Sequence, residues 1–246
     1  MPFNPFSLNN KTILITGASS GIGKEIAINA AKAGAQLIIT GRDLSRLEAT
    51  YSMLEPDKHQ LIIADLSSEE GIKRLTSELP QLVGVVHSAG IIKRVPLKLI
   101  TEKSLNELMR INFFAPALLT RALYKQKLLK DEASVVFISS VASSSASLGN
   151  IMYMASKGAI NSFMKGIAFE LASSGIRANA IQPGMIKTNL TTAIPDEEIQ
   201  KDIQRYPLGR YGTPEEVAYA TIYLLSDATK WMTGSILTID GGLTLR

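Results

Sequence analysis

Thr12-Ile13-Leu14-Ile15-Thr16-Gly17-Ala18-Ser19-Ser20-Gly21-Ile22-Gly23 runs from a short apolar stretch straight into a glycine-rich turn, after which Ile22, Ile26, Ala30 and Ala33 recur at helical spacing. The apolar run reads as a buried strand and the spaced residues as one face of a helix. At such a junction glycines permit a tight turn and let a pyrophosphate approach the backbone, where its charge meets the free N–H groups and positive dipole end of the helix beginning near Gly21. Gly17, Ser19, Ser20, Gly21, Ile22 and Gly23 are therefore candidate dinucleotide-binding residues. Without the strand before it and the helix after it, the same triplet would read equally well as an ordinary turn.

The pattern repeats outward from this unit. Gln36 to Thr40, Gln60 to Ala64, Leu82 to Ser88, Ser134 to Ser139 and Arg177 to Gln182 are further apolar runs without polar alternation, separated by segments of helical spacing. Strands of this kind are covered on both faces, so the expected fold is α/β, a doubly wound Rossmann-type parallel sheet. A seventh strand, Ser235 to Asp240, follows a helix that opens at Thr213-Pro214-Glu215-Glu216, with Thr213 as its cap. No linker or repeat interrupts the series, and 246 residues suit one large α/β domain spanning 1–246. Met185 to Arg210 stands apart: it is polar, holds Pro195 and Pro207, and carries a short helical pattern from Asp196 to Arg205. Placed after the carboxyl end of a strand, this segment is expected to be a substrate lid at about 185–210, the alternative being a plain surface excursion.

Composition narrows the chemistry. Lys and Arg number 26 against 22 Asp and Glu, a net charge of 26 − 22 = +4, and the basic residues never form a run of the kind a nucleic-acid arm carries. The chain contains no cysteine and only two histidines, His59 and His87, which excludes thiolate chemistry and a Cys- or His-based metal site. The first ten residues lack a signal-peptide pattern, and no apolar stretch reaches the roughly 18 residues a membrane span needs. A soluble, cytoplasmic protein with no membrane partner is expected.

Dinucleotide folds usually place an acid at the end of the second strand, on the adenosine ribose 2′-hydroxyl. Here that place reads Thr40-Gly41-Arg42. No acid is present to repel a 2′-phosphate, and Arg42 offers a fork that suits one, so NADP is expected over NAD. Arg42 as a solvated loop residue is the alternative, and Asp43 beside it weakens the argument. Asp65, followed by Leu66, ends the third strand, where it is either an acceptor for the adenine amino group or a helix cap. Ser139-Ser140, Tyr153 and Lys157 form the second constellation. Tyr153 and Lys157, at i and i+4, share a helix face, and unit charges about 4 Å apart at a dielectric near 20 interact by about 4 kcal/mol. Lys157 is thus expected to lower the phenol pKa by up to about three units and make Tyr153 an acid/base near neutral pH.

Thr16-Gly17-x-x-x-Gly21-x-Gly23, Asn112, Ser140, Tyr153-x-x-x-Lys157 and Pro183-Gly184-Met185-Ile186-Lys187-Thr188 together resemble the short-chain dehydrogenase/reductase family over essentially the whole chain. The resemblance implies a seven-stranded Rossmann domain and hydride transfer between nicotinamide and a carbonyl or secondary alcohol. It implies Tyr153 as proton donor, Lys157 on the nicotinamide ribose, Ser140 on the substrate carbonyl, Asn112 as anchor of a proton-relay water, and Ile186 and Thr188 on the carboxamide. Pro183 and Gly184 belong to the same cofactor-binding segment. The family's Asn-Asn-Ala-Gly motif reads His87-Ser88-Ala89-Gly90 here, so Ser88, Ala89 and Gly90 carry that part of the cofactor site, and His87 reads as a structural histidine.

Met232 to Ser235, Asp240-Gly241-Gly242 and the segment from Tyr206 to Gly212 are similar to bacterial 3-oxoacyl-acyl-carrier-protein reductases, while sugar, polyol and other secondary-alcohol dehydrogenases share the same tail. Two arginines through which the fatty-acid enzymes dock their acidic carrier protein are replaced by Asp131 and Ser174, which argues against a carrier partner, although Lys127 and Lys130 lie close by. Family members form tetramers. Ile160, Phe163, Met164, Ile167 and Phe169 give the helix after Tyr153 enough apolar surface for a homotetramer or dimer, unless the core absorbs it. A dinucleotide-binding sensor without chemistry is the alternative from another class, and the retained Tyr153 and Lys157 argue against it.

Overall fold

A computed structural model describes residues 4–55, 58–188 and 195–245. Its strands are β1 (Thr12–Thr16), β2 (Gln36–Gly41), β3 (Gln60–Ile63), β4 (Leu82–His87), β5 (Leu129–Ile138), β6 (Arg177–Pro183) and β7 (Ile236–Ile239). They form one sheet in the order β3-β2-β1-β4-β5-β6-β7, parallel throughout. The order reverses between β1 and β4, which opens a crevice at their carboxyl ends, the place where such sheets bind ligands.

Helices α1 (Gly21–Lys32), α2 (Leu44–Tyr51), α3 (Glu69–Ser77), α4 (Glu102–Met109), α5 (Ala115–Lys125), α6 (Ile151–Glu170), α7 (Asp196–Ile203) and α8 (Pro214–Leu225) complete the fold. Successive strand side chains point to opposite faces, so each strand feeds two cores. Ile13, Ile15, Leu37 and Ile181 pack on Ile26 and Ala30 of α1 and on Val217 and Leu224 of α8. Leu14, Ile38, Val85 and Phe137 pack on Leu75 of α3, Leu119 of α5 and Ile160 and Met164 of α6. A one-residue slip of any strand would exchange the two sets, which pins the register and with it the ends of the strands that carry the site.

Three elements depart locally from the sequence reading, one of them for a visible reason. β5 begins at Leu129, five residues before the expected Ser134, because Leu129 pairs with Leu82 ahead of a register shift where Glu132 takes φ 62°. α6 opens at Ile151, two residues before Tyr153, and the helix of the polar segment stops at Ile203. Thr213 does cap α8, with Glu216 accepting from its N–H at 2.8 Å. Of the five apolar residues named on α6, Ile160 and Met164 are buried and Phe163 and Ile167 pack against the core, which leaves Phe169, 90% exposed, for a partner. Among the described residues no helix is long and apolar enough to cross a membrane, and no cluster of His, Asp or Glu is arranged to hold a metal ion.

Candidate active site

Thr16 ends β1 with a buried hydroxyl that donates to the Val86 carbonyl (3.3 Å) and accepts from the N–H groups of Ser88 (3.1 Å) and Ala89 (3.2 Å). It fastens the end of β1 to that of β4. Gly17 follows at φ 67°, and a Cβ there would lie 2.7 Å from the Ala89 Cα, so the glycine is required by the approach of the two loops. A Cβ on Gly23 would overlap the Gly17 carbonyl oxygen, and Ser88 Oγ packs against the same spot. Ser20 caps α1 with extended backbone and no side-chain hydrogen bond, and no acid occupies the first turn. The turn from Gly17 to Gly23 is therefore a glycine-lined cradle at a helix start whose field suits an anion. Ser19 packs on Gly41, and Thr188 lies within 3.6 Å of where a Gly21 Cβ would be, bringing the segment after β6 beside the same helix start.

At the far end of this crevice Arg42 is exposed and makes no ion pair among the described residues, whereas Asp43 accepts from the Arg46 N–H (3.0 Å) and pairs with its guanidinium (3.3 Å) as the cap of α2. The neighbouring acid is thus committed to its own helix. Of the two readings of Asp65, the helix cap does not hold: Ser68 caps α3, accepting from the Gly71 N–H, while Asp65 accepts from the N–H and hydroxyl of Ser67. Partial burial raises the Asp65 carboxyl, but the two Ser67 bonds and the charge of Arg42 outweigh it and hold the group below its ordinary range. Leu66 turns back into the core.

Asn112 lies in a π-helical turn, Arg110–Phe114, between α4 and α5, a distortion frequent at functional sites. Its buried side chain accepts from the Ile91 N–H (2.8 Å) and donates to the Ile91 carbonyl (2.9 Å) and to Ser156 Oγ (3.1 Å). Ser156 in turn donates to the Tyr153 carbonyl at 2.8 Å. Asn112 therefore clamps the loop after β4 to the first turn of α6, with both amide hydrogens engaged in doing so. Gly90 fits between this clamp and Lys157, since a Cβ on it would lie 3.4 Å from Asn112 Oδ1 and 3.7 Å from Lys157 Nζ. Thr16 enters the sequence reading only as the first residue of the glycine motif, and Ser156 not at all; the signal for Ser156 is a hydroxyl residue between Tyr153 and Lys157.

Lys157 is buried, donates from Nζ to the Ile138 carbonyl (2.8 Å), and stands 5.6 Å from the centre of the Tyr153 ring. Burial brings its pKa down to about 8. The Tyr153 phenol goes the other way: burial raises it, and a hydrogen bond with Ser140 only partly draws it back. The expectation that Lys157 lowers the phenol is thus corrected, because the ammonium is turned to a main-chain carbonyl and desolvation dominates the phenol. Ser140 accepts from the Ala142 N–H (3.1 Å) and borders the phenol, whereas Ser139 is buried and donates to the Lys157 carbonyl (3.4 Å). A protonated phenol and a serine hydroxyl side by side can both donate to one carbonyl oxygen.

His87 is placed outside this chemistry. Its Nε2 lies 2.9 Å from Thr120 Oγ1, its ring stacks on Phe137 at 4.8 Å, and burial pushes its pKa down to about 3, so it is a neutral core residue. After Pro183, Gly184 packs on Asp240, with a Cβ there meeting the Asp240 Cα at 3.0 Å, and Ile186 bridges Gly212. The polar segment that follows is tied at its base, where Tyr206 accepts from the Met185 N–H and Tyr211 donates to Asp202. Residues 189–194 of that segment lie outside the described residues. At the opposite end of the sheet, Asp131 and Ser174 line a concavity of about 780 Å³ together with Lys125, Lys127 and Lys130.

A family model described as enoyl-(acyl carrier protein) reductase matches residues 17–244. The 3-oxoacyl-[acyl-carrier-protein] reductase FabG of Rickettsia prowazekii is 33% identical over 238 residues, covering 97% of this chain and 98% of the relative. An uncharacterized oxidoreductase of Bacillus subtilis, YmfI, is 35% identical over 241 residues, 95% and 98% of the two chains. Among solved structures, the NADP active-site complex of Pseudomonas aeruginosa RhlG superposes with a TM-score of 0.91 at 33% identity, covering 98% of this chain and 99% of the other. An Agrobacterium tumefaciens protein provisionally assigned as a 2-deoxy-D-gluconate 3-dehydrogenase, with bound NADP, gives 0.90 at 31% identity, covering 99% and 100%.

Proposed function

The chain belongs to the short-chain dehydrogenase/reductase family and is an oxidoreductase acting on CH–OH or C=O groups, and from that premise we propose that it is an NADPH-dependent carbonyl reductase. The observation that carries the reading is the meeting, on one crevice, of the Gly17–Gly23 cradle with Ser140, Tyr153 and Lys157. The cradle fits a dinucleotide because side chains are excluded from it and the start of α1 lacks a capping side chain or acid. When bound, the nicotinamide cofactor supplies or accepts the hydride.

The chain's own residues do the rest. Backbone and side chains of Gly17, Ser19, Ser20, Gly21, Ile22 and Gly23 receive the pyrophosphate, Arg42 takes the 2′-phosphate, and Asp65 and Leu66 border the adenine. Ser88, Ala89 and Gly90 line the central part, and Pro183, Gly184, Ile186 and Thr188 hold the carboxamide end. Ser140 and Tyr153 donate to the substrate carbonyl oxygen. Burial keeps the phenol protonated, so Tyr153 has a proton to deliver to that oxygen as charge develops on it. Lys157, at about 8, is mainly ammonium at neutral pH and stabilises the phenolate left behind while binding the nicotinamide ribose. Asn112 fixes the loop and helix that flank these groups, and a relay water would sit on its main chain, since its side chain is engaged.

The Rickettsia relative supports a 3-oxoacyl substrate and the Agrobacterium structure a sugar-type one; the described parts of the polar segment, 185–188 and 195–210, would act as a lid over either. Asp131 and Ser174 argue against a carrier protein, and Phe169 with the fully exposed Trp231 supports a homo-oligomer. Titration with NADPH and NADH, followed by nicotinamide fluorescence, tests the reading: NADPH should bind at least about tenfold tighter, one charge-assisted contact's worth. Arg42→Ser should remove that ratio, and equal binding by the unaltered protein overturns the NADP assignment. Tyr153→Phe should bind NADPH and reduce nothing; an active variant overturns the mechanism.

A further inference from the structure

Arg110 opens the π-turn that carries Asn112, and its guanidinium reaches away from that turn. Nε donates to the Ser67 carbonyl at 2.6 Å, tying together residues 43 positions apart. A bond from a charged donor is about twice as strong as one between neutral groups. Ser67 is also the residue whose N–H (3.0 Å) and hydroxyl (2.8 Å) hold Asp65. Arg42 is the cation whose charge acts on that carboxylate. A phosphate seated on Arg42 offsets this charge, so its arrival is felt at Asp65 and, through Ser67, at Arg110.

The turn is built to answer. The Ala115 N–H donates to the Arg110 carbonyl five positions back, one more than in the regular helices α4 and α5 on either side. Such a turn has a discrete alternative, the α-helical register, in which the side chains beyond the shift swing by about 100°. In that register Asn112 would leave Ile91 and Ser156, the partners it holds in the π-turn. Those partners lead to the other end of the crevice. Ser156 donates to the Tyr153 carbonyl, and Ile91 follows Gly90, which borders Lys157 Nζ. One series of contacts therefore runs from Asp65 through Ser67, Arg110, Asn112 and Ser156 to Tyr153.

We infer that Arg110 is a positioning residue that couples the two ends of the dinucleotide site: a 2′-phosphorylated adenosine at Arg42 and Asp65 favours the π-turn, which sets the loop and helix around Tyr153 and Lys157 for the nicotinamide. The assignment rests on the cofactor reading above and deepens it. The test splits the cofactor into halves. Reduced nicotinamide mononucleotide is titrated into the protein with and without saturating adenosine 2′-monophosphate, followed by nicotinamide fluorescence. In the unaltered protein the adenosine half should tighten the nicotinamide half by at least about fivefold, the low end of couplings between sites. Arg110→Met keeps the length of the side chain and removes the donor. It should bring that ratio close to one while leaving each half's own affinity within about twofold, a pattern that a general loss of structure does not produce. Ser156→Ala breaks the same series at its other end and should also lose the ratio, so the test stands if the Met variant fails to fold. No coupling in the unaltered protein, or coupling that survives in either folded variant, overturns the assignment. Failure of NADPH to bind overturns the cofactor reading and the coupling with it, whereas binding of NADPH without coupling between its halves overturns the role of Arg110 alone.

Discussion

Ser156→Ala tests the clamp that joins the two halves of the site. Ser156 is fully buried and its hydroxyl does two things: it accepts from Asn112 Nδ2 at 3.1 Å and donates to the Tyr153 carbonyl at 2.8 Å. Alanine removes both bonds, each contributing about 0.5–1.5 kcal/mol net, and leaves an amide hydrogen of Asn112 without an acceptor in a dry place. Alanine's better helix propensity returns a few tenths, about 0.5 kcal/mol. The balance is a loss of about 2 kcal/mol, which for a chain of this size lowers Tm by about 4–8 °C. Ser139→Ala is the control. Its hydroxyl makes a single 3.4 Å bond to the Lys157 carbonyl, close to the limit of a hydrogen bond, so its loss should be about 0.5 kcal/mol or less. Asn112→Ala completes a cycle: because the two residues share a bond, the double variant should lose about 1 kcal/mol less than the sum of the singles. Denaturant unfolding of the five proteins decides the matter. A Ser156→Ala protein within about 0.5 kcal/mol of the unaltered one, or strictly additive losses, would refute the clamp.

Gly23→Ala places a Cβ on the Gly17 carbonyl oxygen and should abolish NADPH binding measured by fluorescence, with a stability loss of at least about 1–3 kcal/mol from overpacking. His87 has a folded pKa of about 3, below the 6.5 of the free group, so the stability its neutrality contributes is complete above pH 6.5 and is lost as pH falls towards 3. His87→Phe, which keeps the stack on Phe137, should flatten the urea-midpoint profile between pH 6 and 4 by up to about 1.4 kcal/mol per pH unit, and an unchanged slope would count against the assignment. Lys157 is lowered from 10.5 to about 8 by burial, so below pH 8 its charge is a constant burden on the fold, relieved as pH rises from 8 to 10.5. Lys157→Met should therefore be inactive yet about 1–2 kcal/mol more stable at pH 7 after allowing for the lost Ile138 bond, the gain shrinking above pH 8 in denaturant titrations.

The strands were legible because a parallel sheet covered on both faces demands unbroken apolar runs, and β1 and β6 begin where those runs begin. The amino half of β5 was not, since Lys130-Asp131-Glu132 is polar and only the pairing of Leu129 with Leu82 brings it into the sheet. The same divide runs through the site. Helical spacing alone places Tyr153 and Lys157 on one face, and the glycine pattern alone places the cradle at the start of α1. What each group does electrically depends on partners that spacing does not contain. Lys157 is turned to a carbonyl 19 positions away, Asn112 to a loop 21 positions away and to a hydroxyl 44 positions away. Spacing alone therefore gives the wrong direction for the Tyr153 shift, because a charge counted at helical distance omits the desolvation that the rest of the fold imposes. Desolvation also bears on the role proposed for the phenol: a group raised by burial keeps its proton, as the general acid proposed for reduction must until charge develops on the carbonyl oxygen.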